Sequence, residues 1–293
     1  MRTATRTLRI PGLQRKKQRG EKITMLTAYN CWMARLLSAQ GDIDLLLVGD
    51  SLSMVELGYD STIPVTMEDM VRHTRAVRNG APHAFVVADL PFLAYQVSVE
   101  EAMRNAGRLM QDGGANAVKL EGGASVVPTV KRIVDAGIPV VGHLGLLPQS
   151  VNQLGGYRQQ ATTPEEQQRL LDDALALEAS GAFALVLECV PAAAAAAVTK
   201  ACRIPVIGIG AGNECDGQVL VTHDLLGLGG ETSPPFAKRY VELGEQVTQA
   251  VANYADEVRR GVFPPVRPES APKAEEGTIK QGGGEQSEGK SNG

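Results

Sequence analysis

The sequence has few of the residues on which several protein classes depend. Aromatic residues make up only 4% of the 293 residues, and the formal net charge is −4. The sequence therefore does not indicate a nucleic-acid-binding protein, which would need a basic surface and aromatic side chains that stack on bases. No apolar run reaches the roughly 18 residues that predict a transmembrane helix. The composition is instead that of an ordinary globular protein, with 43% hydrophobic and 21% charged residues.

Motifs built on cysteine and histidine are also missing. The four cysteines form no CxxC pair, and the four histidines form no HxH or HExxH pattern. The sequence therefore lacks the paired spacings on which cysteine and histidine motifs depend. Because no secretory apolar segment is present either, the cysteines are predicted to be reduced thiols of a cytoplasmic protein.

The two ends of the chain differ from the middle. Residues 1–21 carry seven basic residues before the first acid, Glu21. This is typical of a mitochondrial targeting peptide, but the segment lacks serine and leads directly into an apolar run, which favours a basic arm or short helix. Residues 265–293 are rich in Gly, Pro, Glu, Ser and Lys and are predicted to be disordered. A single catalytic domain is predicted over residues 22–264.

Eight apolar segments alternate with helical patterns in this middle region. Most are continuous runs of Val, Ile and Leu, as in strands that are covered on both faces. The predicted strands are 22–28, 45–49, 84–89, 117–121, 139–143, 184–189, 205–210 and 218–222. Eight strand–helix units in about 240 residues predict a (β/α)8 TIM barrel. A doubly wound parallel sheet is the alternative.

Several helix boundaries can also be predicted. A Ser or Thr followed three residues later by an acid marks a helix start at Thr66, Ser98 and Thr163. The last helix is predicted over residues 236–260, where apolar residues recur every three or four positions.

Four of the predicted strands end in an acidic residue. These residues are Asp50, Asp89, Glu121 and Glu188. Each alone could be a turn residue or part of an internal ion pair. Because all strands of a barrel open on one face at their carboxyl ends, the four acids should converge there. Buried carboxylates repel one another unless a cation lies between them, and oxygen ligands favour Mg²⁺ over zinc.

Two further residues belong to the same predicted face. Lys119 lies two positions before Glu121 and therefore points to the same side of the strand, where it could bind substrate or form an internal Lys–Glu pair. His143 ends the fifth strand and could bind a substrate oxygen or have a structural role. The glycine-rich run at 208–212 fits either phosphate binding or close packing at the rim.

The chain resembles the ketopantoate hydroxymethyltransferase family in seven segments between residues 22 and 228. They include LLLVGDSLSMVELGYDSTIPVTMEDMVRHTRAV, VVADLPF, AVKLEGG, VVGHLGLLPQSVNQLGGY and LVLECVP. The resemblance implies a barrel of the phosphoenolpyruvate/pyruvate type, a Mg²⁺ site and a homo-oligomer that is often a decamer. It also implies transfer of a hydroxymethyl group from 5,10-methylenetetrahydrofolate to 3-methyl-2-oxobutanoate. The product is 2-dehydropantoate, on the route to pantothenate and coenzyme A.

The resemblance also implies roles for individual residues. Asp50 and Asp89 correspond to metal ligands, and Glu121 belongs to the metal site directly or through a water. Glu188 corresponds to the proton acceptor. The positions that match substrate-binding residues are Ser51, Asp89, Lys119 and His143. The chain departs from the family pattern at Asn30, at Ser53 and at residues 158–161.

Two alternatives to this function remain at the level of sequence. One is a lyase or mutase of the isocitrate lyase group that acts on another 2-oxo acid. Those enzymes usually carry a reactive cysteine in a KKCGH-type loop, which this sequence does not contain. The other is a non-catalytic barrel that binds a metal, which the complete set of acidic residues disfavours.

Overall fold

Eight parallel strands close into a barrel in the computed structural model, which describes residues 8–229 and 234–265. The strands follow one another in chain order, and β1 pairs with β8 to complete the ring. Their bounds are β1 Ile23–Thr27, β2 Leu45–Val48, β3 Phe85–Asp89, β4 Ala117–Glu121, β5 Val140–Gly145, β6 Ala184–Glu188, β7 Val206–Ile209 and β8 Gly217–Leu220. The predicted (β/α)8 barrel is confirmed, and the open doubly wound sheet is excluded by the closed pairing.

Helices separate most successive strands. They are α1 Ile10–Gln18, α2 Cys31–Ser38, α3 Leu52–Val55, α4 Met67–Gly80, α5 Val99–Gln111, α6 Val127–Asp135, α7 Val151–Leu154, α8 Pro164–Ala179, α9 Ala192–Ala201, α10 Thr222–Leu225 and α11 Leu243–Arg259. The three predicted starts are confirmed, because Thr66, Ser98 and Thr163 each accept a hydrogen bond from a backbone N–H of the first turn. No helix among the described residues combines the length and apolarity that a membrane span requires.

The chain divides into two compact units, Met1–Gly244 and Glu245–Gly293. Helix α11 begins at Leu243, so the predicted start at residue 236 is wrong. Phe236 lies instead against the backbone of Gly210, where an added Cβ would fall 2.8 Å from the ring. The predicted disordered tail covers residues 265–293, of which 266–293 lie outside the described residues, and the predicted domain boundaries also stay predictions.

The buried side chains form two apolar clusters that follow the alternation of the strands. On β3, Val86 and Ala88 belong to the larger cluster, whereas Phe85 and Val87 belong to the smaller one. Successive side chains of a strand point to opposite faces. One set therefore packs against the helices, and the other fills the barrel interior. This interior cluster also contains Leu13 of α1.

Helix α1 closes the amino end of the barrel. Lys16 forms an ion pair of 2.6 Å with Asp44, and Lys17 forms one of 2.6 Å with Asp216. Both aspartates also accept a hydrogen bond from the backbone of a neighbouring strand segment. Because Asp44 and Asp216 directly precede β2 and β8, these ion pairs hold the helix at the end where the strands begin. Part of the basic segment is therefore a structural helix.

Replacing Leu13 with alanine should reduce the free energy of unfolding by about 2–5 kcal/mol, the usual cost of truncating a buried leucine. Leu13 is only 1% exposed at the base of the interior cluster. Urea unfolding followed by circular dichroism measures the change. The control is Leu36→Ala on the exposed side of α2, where the side chain is 62% exposed. Wild-type stability in Leu13→Ala would contradict a sealing role for α1.

Candidate active site

The four predicted acids meet at the carboxyl end of the barrel. Asp50, Asp89 and Glu121 are each no more than 5% exposed, whereas the side chain of Glu188 is 18% exposed. Three of them end strands β3, β4 and β6, and Asp50 follows β2 after a single glycine. The chain thus places three acids deep in the site and one nearer to solvent.

Asp50, Asp89 and Lys119 are directly linked. Asp89 and Lys119 are paired in register across β3 and β4, and their side chains form a buried ion pair of 3.1 Å. The same oxygen of Asp89, Oδ2, accepts a 3.1 Å hydrogen bond from the backbone N–H of Asp50. The internal partner of Lys119 is therefore Asp89, not the neighbouring Glu121 that the strand pattern offered as an alternative.

His143 joins the lysine to two of the acids. Its Nδ1 lies 3.2 Å from Lys119 Nζ and 3.4 Å from Glu121 Oε1. This nitrogen can accept from the lysine when unprotonated and donate to Glu121 when protonated. The other nitrogen, Nε2, lies 3.2 Å from Glu188 Oε2, a charge contact that is not aligned as a hydrogen bond. The imidazole therefore bridges the deep acids and the more exposed one.

The pKa values reflect an excess of buried negative charge. Burial, followed by the charge of Asp89, raises the pKa of Asp50 well above its ordinary value. Burial also raises the pKa of Asp89, against the opposing effect of Lys119. Burial and Lys119 lower the pKa of His143, but the carboxylates of Glu121 and Glu188 outweigh them and raise it to about 9. The two aspartates are thus difficult to ionise together without a further positive charge nearby.

Lys119 is held in its charged form. Burial lowers the pKa of Lys119, but the carboxylates of Asp89, Glu121 and Asp50 outweigh burial and raise it. A permanent positive charge therefore lies among the acids.

Ser51 reaches the site through a residue that the sequence did not indicate. Its Oγ lies 2.8 Å from the hydroxyl of Tyr29, which is 1% exposed. Burial raises the pKa of Tyr29, so the phenol keeps its proton. A Cβ placed on Gly49 would fall 2.8 Å from Ser51 Oγ and 3.6 Å from Asp89 Oδ2. Ser51 therefore lies beside the acids, with its hydroxyl oriented by Tyr29.

Gln149 is another site residue that no sequence pattern indicates. It is buried in the short turn after β5, where its side-chain amide and its backbone N–H contact different acids. Tyr95, likewise buried, has its hydroxyl 2.8 Å from the amide oxygen of Gln149. Neither residue could be identified from sequence, because each reaches the site from a loop and makes contacts far along the chain.

Two carboxylate oxygens are available to a hard cation. Among the described residues, Asp89 Oδ1 is buried without a hydrogen-bond partner, and in Asp50 only Oδ2 receives a hydrogen bond. No group of three or more His, Cys, Asp or Glu side chains within residues 8–229 and 234–265 forms a preformed metal cage. This donor set fits Mg²⁺, which commonly uses one or two carboxylates and completes its coordination with water and substrate.

The open side of the site is bordered by apolar side chains. Tyr157 is 50% exposed, and its hydroxyl lies 3.8 Å from the sulfur of Met54. Partial burial, followed by the charges of Asp50, Glu188 and Glu121, raises the pKa of Tyr157, so the phenol lies within the electrostatic reach of the acids. The rim can therefore contact a larger molecule that approaches the buried acids.

Two other sequence features have structural explanations. Asn30, at a position where the family pattern differs, caps α2 by accepting from the backbone of Met33 and donates to Glu56. In the glycine-rich run, Gly210 and Gly212 have positive φ angles of 60° and 79°. An added Cβ would meet Phe236 at the first and Ala192 at the second. Close packing thus accounts for the glycines.

Comparisons with known proteins agree on one family. The family model described as "Ketopantoate hydroxymethyltransferase" matches residues 7–266. The 3-methyl-2-oxobutanoate hydroxymethyltransferase of Moorella thermoacetica is 58% identical over 255 residues, which cover 87% of this chain and 94% of that protein. The protein of the same name from Syntrophus aciditrophicus is 57% identical over 248 residues, covering 85% and 91%.

Solved structures with lower identity share the fold. Phosphonopyruvate hydrolase in complex with oxalate and Mg²⁺ aligns with a TM-score of 0.57 at 14% identity, covering 86% of this chain and 87% of that one. A 2,3-dimethylmalate lyase of the PEP mutase/isocitrate lyase superfamily aligns with a TM-score of 0.54 at 18% identity, covering 90% and 91%. These structures therefore share the barrel fold of this chain.

Proposed function

Because this chain belongs to the ketopantoate hydroxymethyltransferase family, we propose that its acidic cluster carries out the family reaction with the help of a bound divalent cation. The chain is an enzyme that transfers a hydroxymethyl group to 3-methyl-2-oxobutanoate in pantothenate biosynthesis. The observation that supports the proposed site best is the continuous set of contacts from Asp50 through Asp89, Lys119 and His143 to Glu188.

Asp50 and Asp89 would hold the cation, for which Mg²⁺ is the best fit. Their free oxygens support this assignment, and the repulsion between the two buried carboxylates explains why a cation is needed. Glu121 belongs to the same site, directly or through a water. When bound, a divalent cation supplies Lewis-acid stabilisation, worth several kcal/mol, of the negative charge that develops on a 2-oxo acid as it is deprotonated.

The substrate would be bound by the polar groups around this centre. Lys119, which stays charged beside Asp89, attracts the carboxylate and the developing oxyanion of 3-methyl-2-oxobutanoate. Ser51 offers a hydroxyl that Tyr29 orients, and His143 offers an imidazole nitrogen to a substrate oxygen. Each of these groups is held by a protein contact, so little reorganisation accompanies substrate binding.

Glu188 would act as the general base. It is the most exposed of the four acids, and therefore the one that a bound substrate carbon can approach. Its carboxylate takes the proton from C3 of the substrate, and the contact with His143 Nε2 fixes one of its oxygens. General-base catalysis of this kind typically contributes about 10²–10⁴-fold to the rate.

The carbon donor would be 5,10-methylenetetrahydrofolate, which enters as a co-substrate. The carbanionic C3 forms a bond to the methylene carbon while one bond from that carbon to a folate nitrogen breaks. Water supplies the hydroxyl group as the second carbon–nitrogen bond is cleaved, which gives 2-dehydropantoate and tetrahydrofolate. The exposed rim of Met54 and Tyr157 offers an apolar surface to a ring system of this size.

An assay of the purified protein tests this function directly. With 3-methyl-2-oxobutanoate, 5,10-methylenetetrahydrofolate and Mg²⁺, we expect 2-dehydropantoate to form, and omission of any one of the three should stop it. The product is followed by mass spectrometry or by a coupled reductase. Cleavage of 2,3-dimethylmalate with no hydroxymethyl product would favour the lyase alternative, and inactivity toward both would favour a non-catalytic barrel.

Two features that the resemblance or the sequence suggests remain predictions. A homo-oligomer, such as the decamer that the resemblance implies, is consistent with the apolar side chains that α11 exposes in the single chain. These are Val247, Val251, Tyr254 and Val258. Light scattering of the purified protein would give its mass, and a monomer would contradict the prediction. The predicted cytoplasmic location can be checked by cell fractionation.

A further inference from the structure

Gln149 contacts two of the proposed cation-binding acids with different parts of the same residue. Its side-chain Nε2 donates a 2.8 Å hydrogen bond to Asp50 Oδ2, and its backbone N–H donates a 3.1 Å hydrogen bond to Glu121 Oε2. The first contact spans 99 positions of the chain and the second spans 28. Gln149 is only 4% exposed, so water does not compete with these bonds.

The orientation of the Gln149 amide is fixed by its other neighbours. Nε2 also donates a 2.9 Å hydrogen bond to the backbone carbonyl of Leu90. A carbonyl can only accept, so the NH₂ group must face Leu90, and the same NH₂ group then faces Asp50. On the other side, the amide oxygen lies 2.8 Å from the hydroxyl of Tyr95 and 3.2 Å from Gln96 Nε2. A flipped amide would place its oxygen against both a carbonyl and a carboxylate.

This arrangement determines which oxygen of Asp50 remains available. Oδ2 is held by Gln149, and Oδ1 receives no hydrogen bond from the described residues. In Asp89, likewise, Oδ2 forms the ion pair with Lys119 and accepts from the backbone N–H of Asp50, while Oδ1 has no hydrogen-bond partner among the described residues. In both aspartates, one oxygen fixes the carboxylate and the other is left open. The hydrogen-bond donor that holds Asp50 Oδ2 in place is the side chain of Gln149.

We propose that Gln149 is a positioning residue that holds the Asp50 carboxylate in the orientation required to bind the divalent cation. The inference rests on the proposed function of this cluster, and it concerns the side chain of Gln149 alone. Because the contact to Glu121 comes from the backbone, replacement of the side chain leaves that contact in place. Groups that orient metal ligands typically contribute 10–100-fold to metal affinity.

The test is the affinity of the protein for Mn²⁺, a probe that accepts the same oxygen ligands as Mg²⁺. Electron paramagnetic resonance measures free Mn²⁺ in the absence of substrate. Gln149→Met keeps the length of the side chain and removes its hydrogen bonds, and we expect its Kd for Mn²⁺ to rise about 10–100-fold. Gln149→Asn keeps the amide but cannot reach Asp50, and we expect a similar rise. This second variant decides the question if the methionine variant does not fold.

A control separates positioning from a general loss of structure. Gln153→Met makes the same change at an exposed glutamine four positions away and should leave the Kd unchanged. In the Gln149 variants, the Mg²⁺ concentration for half-maximal activity should rise with the Kd, while kcat at saturating Mg²⁺ falls much less. A wild-type Kd in a folded Gln149 variant would overturn this inference alone. Failure of the wild-type protein to bind Mn²⁺ would overturn the proposed cation site as well.

Discussion

Glu188→Gln should reduce kcat by about 10²–10⁴-fold, the contribution expected of a general base. The amide has nearly the same size as the carboxylate but cannot take a proton. The variant should also lose the folate-independent exchange of the C3 proton of 3-methyl-2-oxobutanoate with deuterated water, which NMR follows directly. Mn²⁺ affinity should change little, because Asp50 and Asp89 are untouched. This combination would assign Glu188 to the proton-transfer step.

The control for this prediction is Glu214→Gln, the same substitution at an exposed glutamate, which should keep wild-type exchange and turnover. Two results would contradict the assigned role. If Glu188→Gln exchanges the proton at the normal rate but forms no product, Glu188 acts on the folate step instead. If exchange and turnover both survive, the base lies elsewhere, and His143, at 3.2 Å from Glu188, is the first residue to test.

Asp89→Asn should weaken binding of the divalent cation by at least about 100-fold, because a direct ligand is expected to matter more than the 10–100-fold of an orienting group. The substitution removes a charge and replaces one of the two oxygens of Asp89 with an NH₂ group. In the wild-type protein, a chelator should abolish activity and Mg²⁺ should restore it. Excess Mg²⁺ should also raise the melting temperature of the wild type. At 100 times the Kd, bound ligand increases the free energy of unfolding by about 2.7 kcal/mol.

The same thermal shift should be nearly absent from Asp89→Asn. The matched control is Asp60→Asn, at an exposed aspartate, which should show the wild-type shift. Measuring the shift without substrate separates loss of the cation from loss of substrate binding. Full activity of rigorously demetallated wild-type protein would refute the proposed cation site, whatever the behaviour of the variant.

The barrel could be predicted because its strands are buried on both faces. Continuous apolar runs such as Leu45–Val48 are unambiguous in this context, and their alternation with capped helices leaves few topologies. The start of α11 could not be predicted in the same way. Apolar periodicity continues upstream to Phe236, but that ring packs against Gly210, a contact that sequence spacing does not reveal.

The candidate site could be predicted only in part, for a related reason. Its acids lie at strand ends, so the fold alone brings them together. Their partners depend on register and loop conformation. The Asp89–Lys119 pair follows from the alignment of β3 with β4, and the contact of Gln149 with Asp50 depends on how the turn after β5 folds back. Such contacts depend on tertiary structure and leave no pattern in the local sequence.

The ion pairs that Lys16 and Lys17 of α1 form with aspartates lie at one end of the strands, and the acidic cluster lies at the other. This separation bears on how the enzyme could be engineered. Strands of four to six residues, rising about 3.3 Å per residue, separate the two ends by about 13–20 Å. Effects of substitutions more than about 7–10 Å apart usually add within about 0.5 kcal/mol. Substitutions selected for heat tolerance at the amino end of the barrel and substitutions selected for substrate range at the carboxyl end should therefore have additive effects, in whichever order they are introduced.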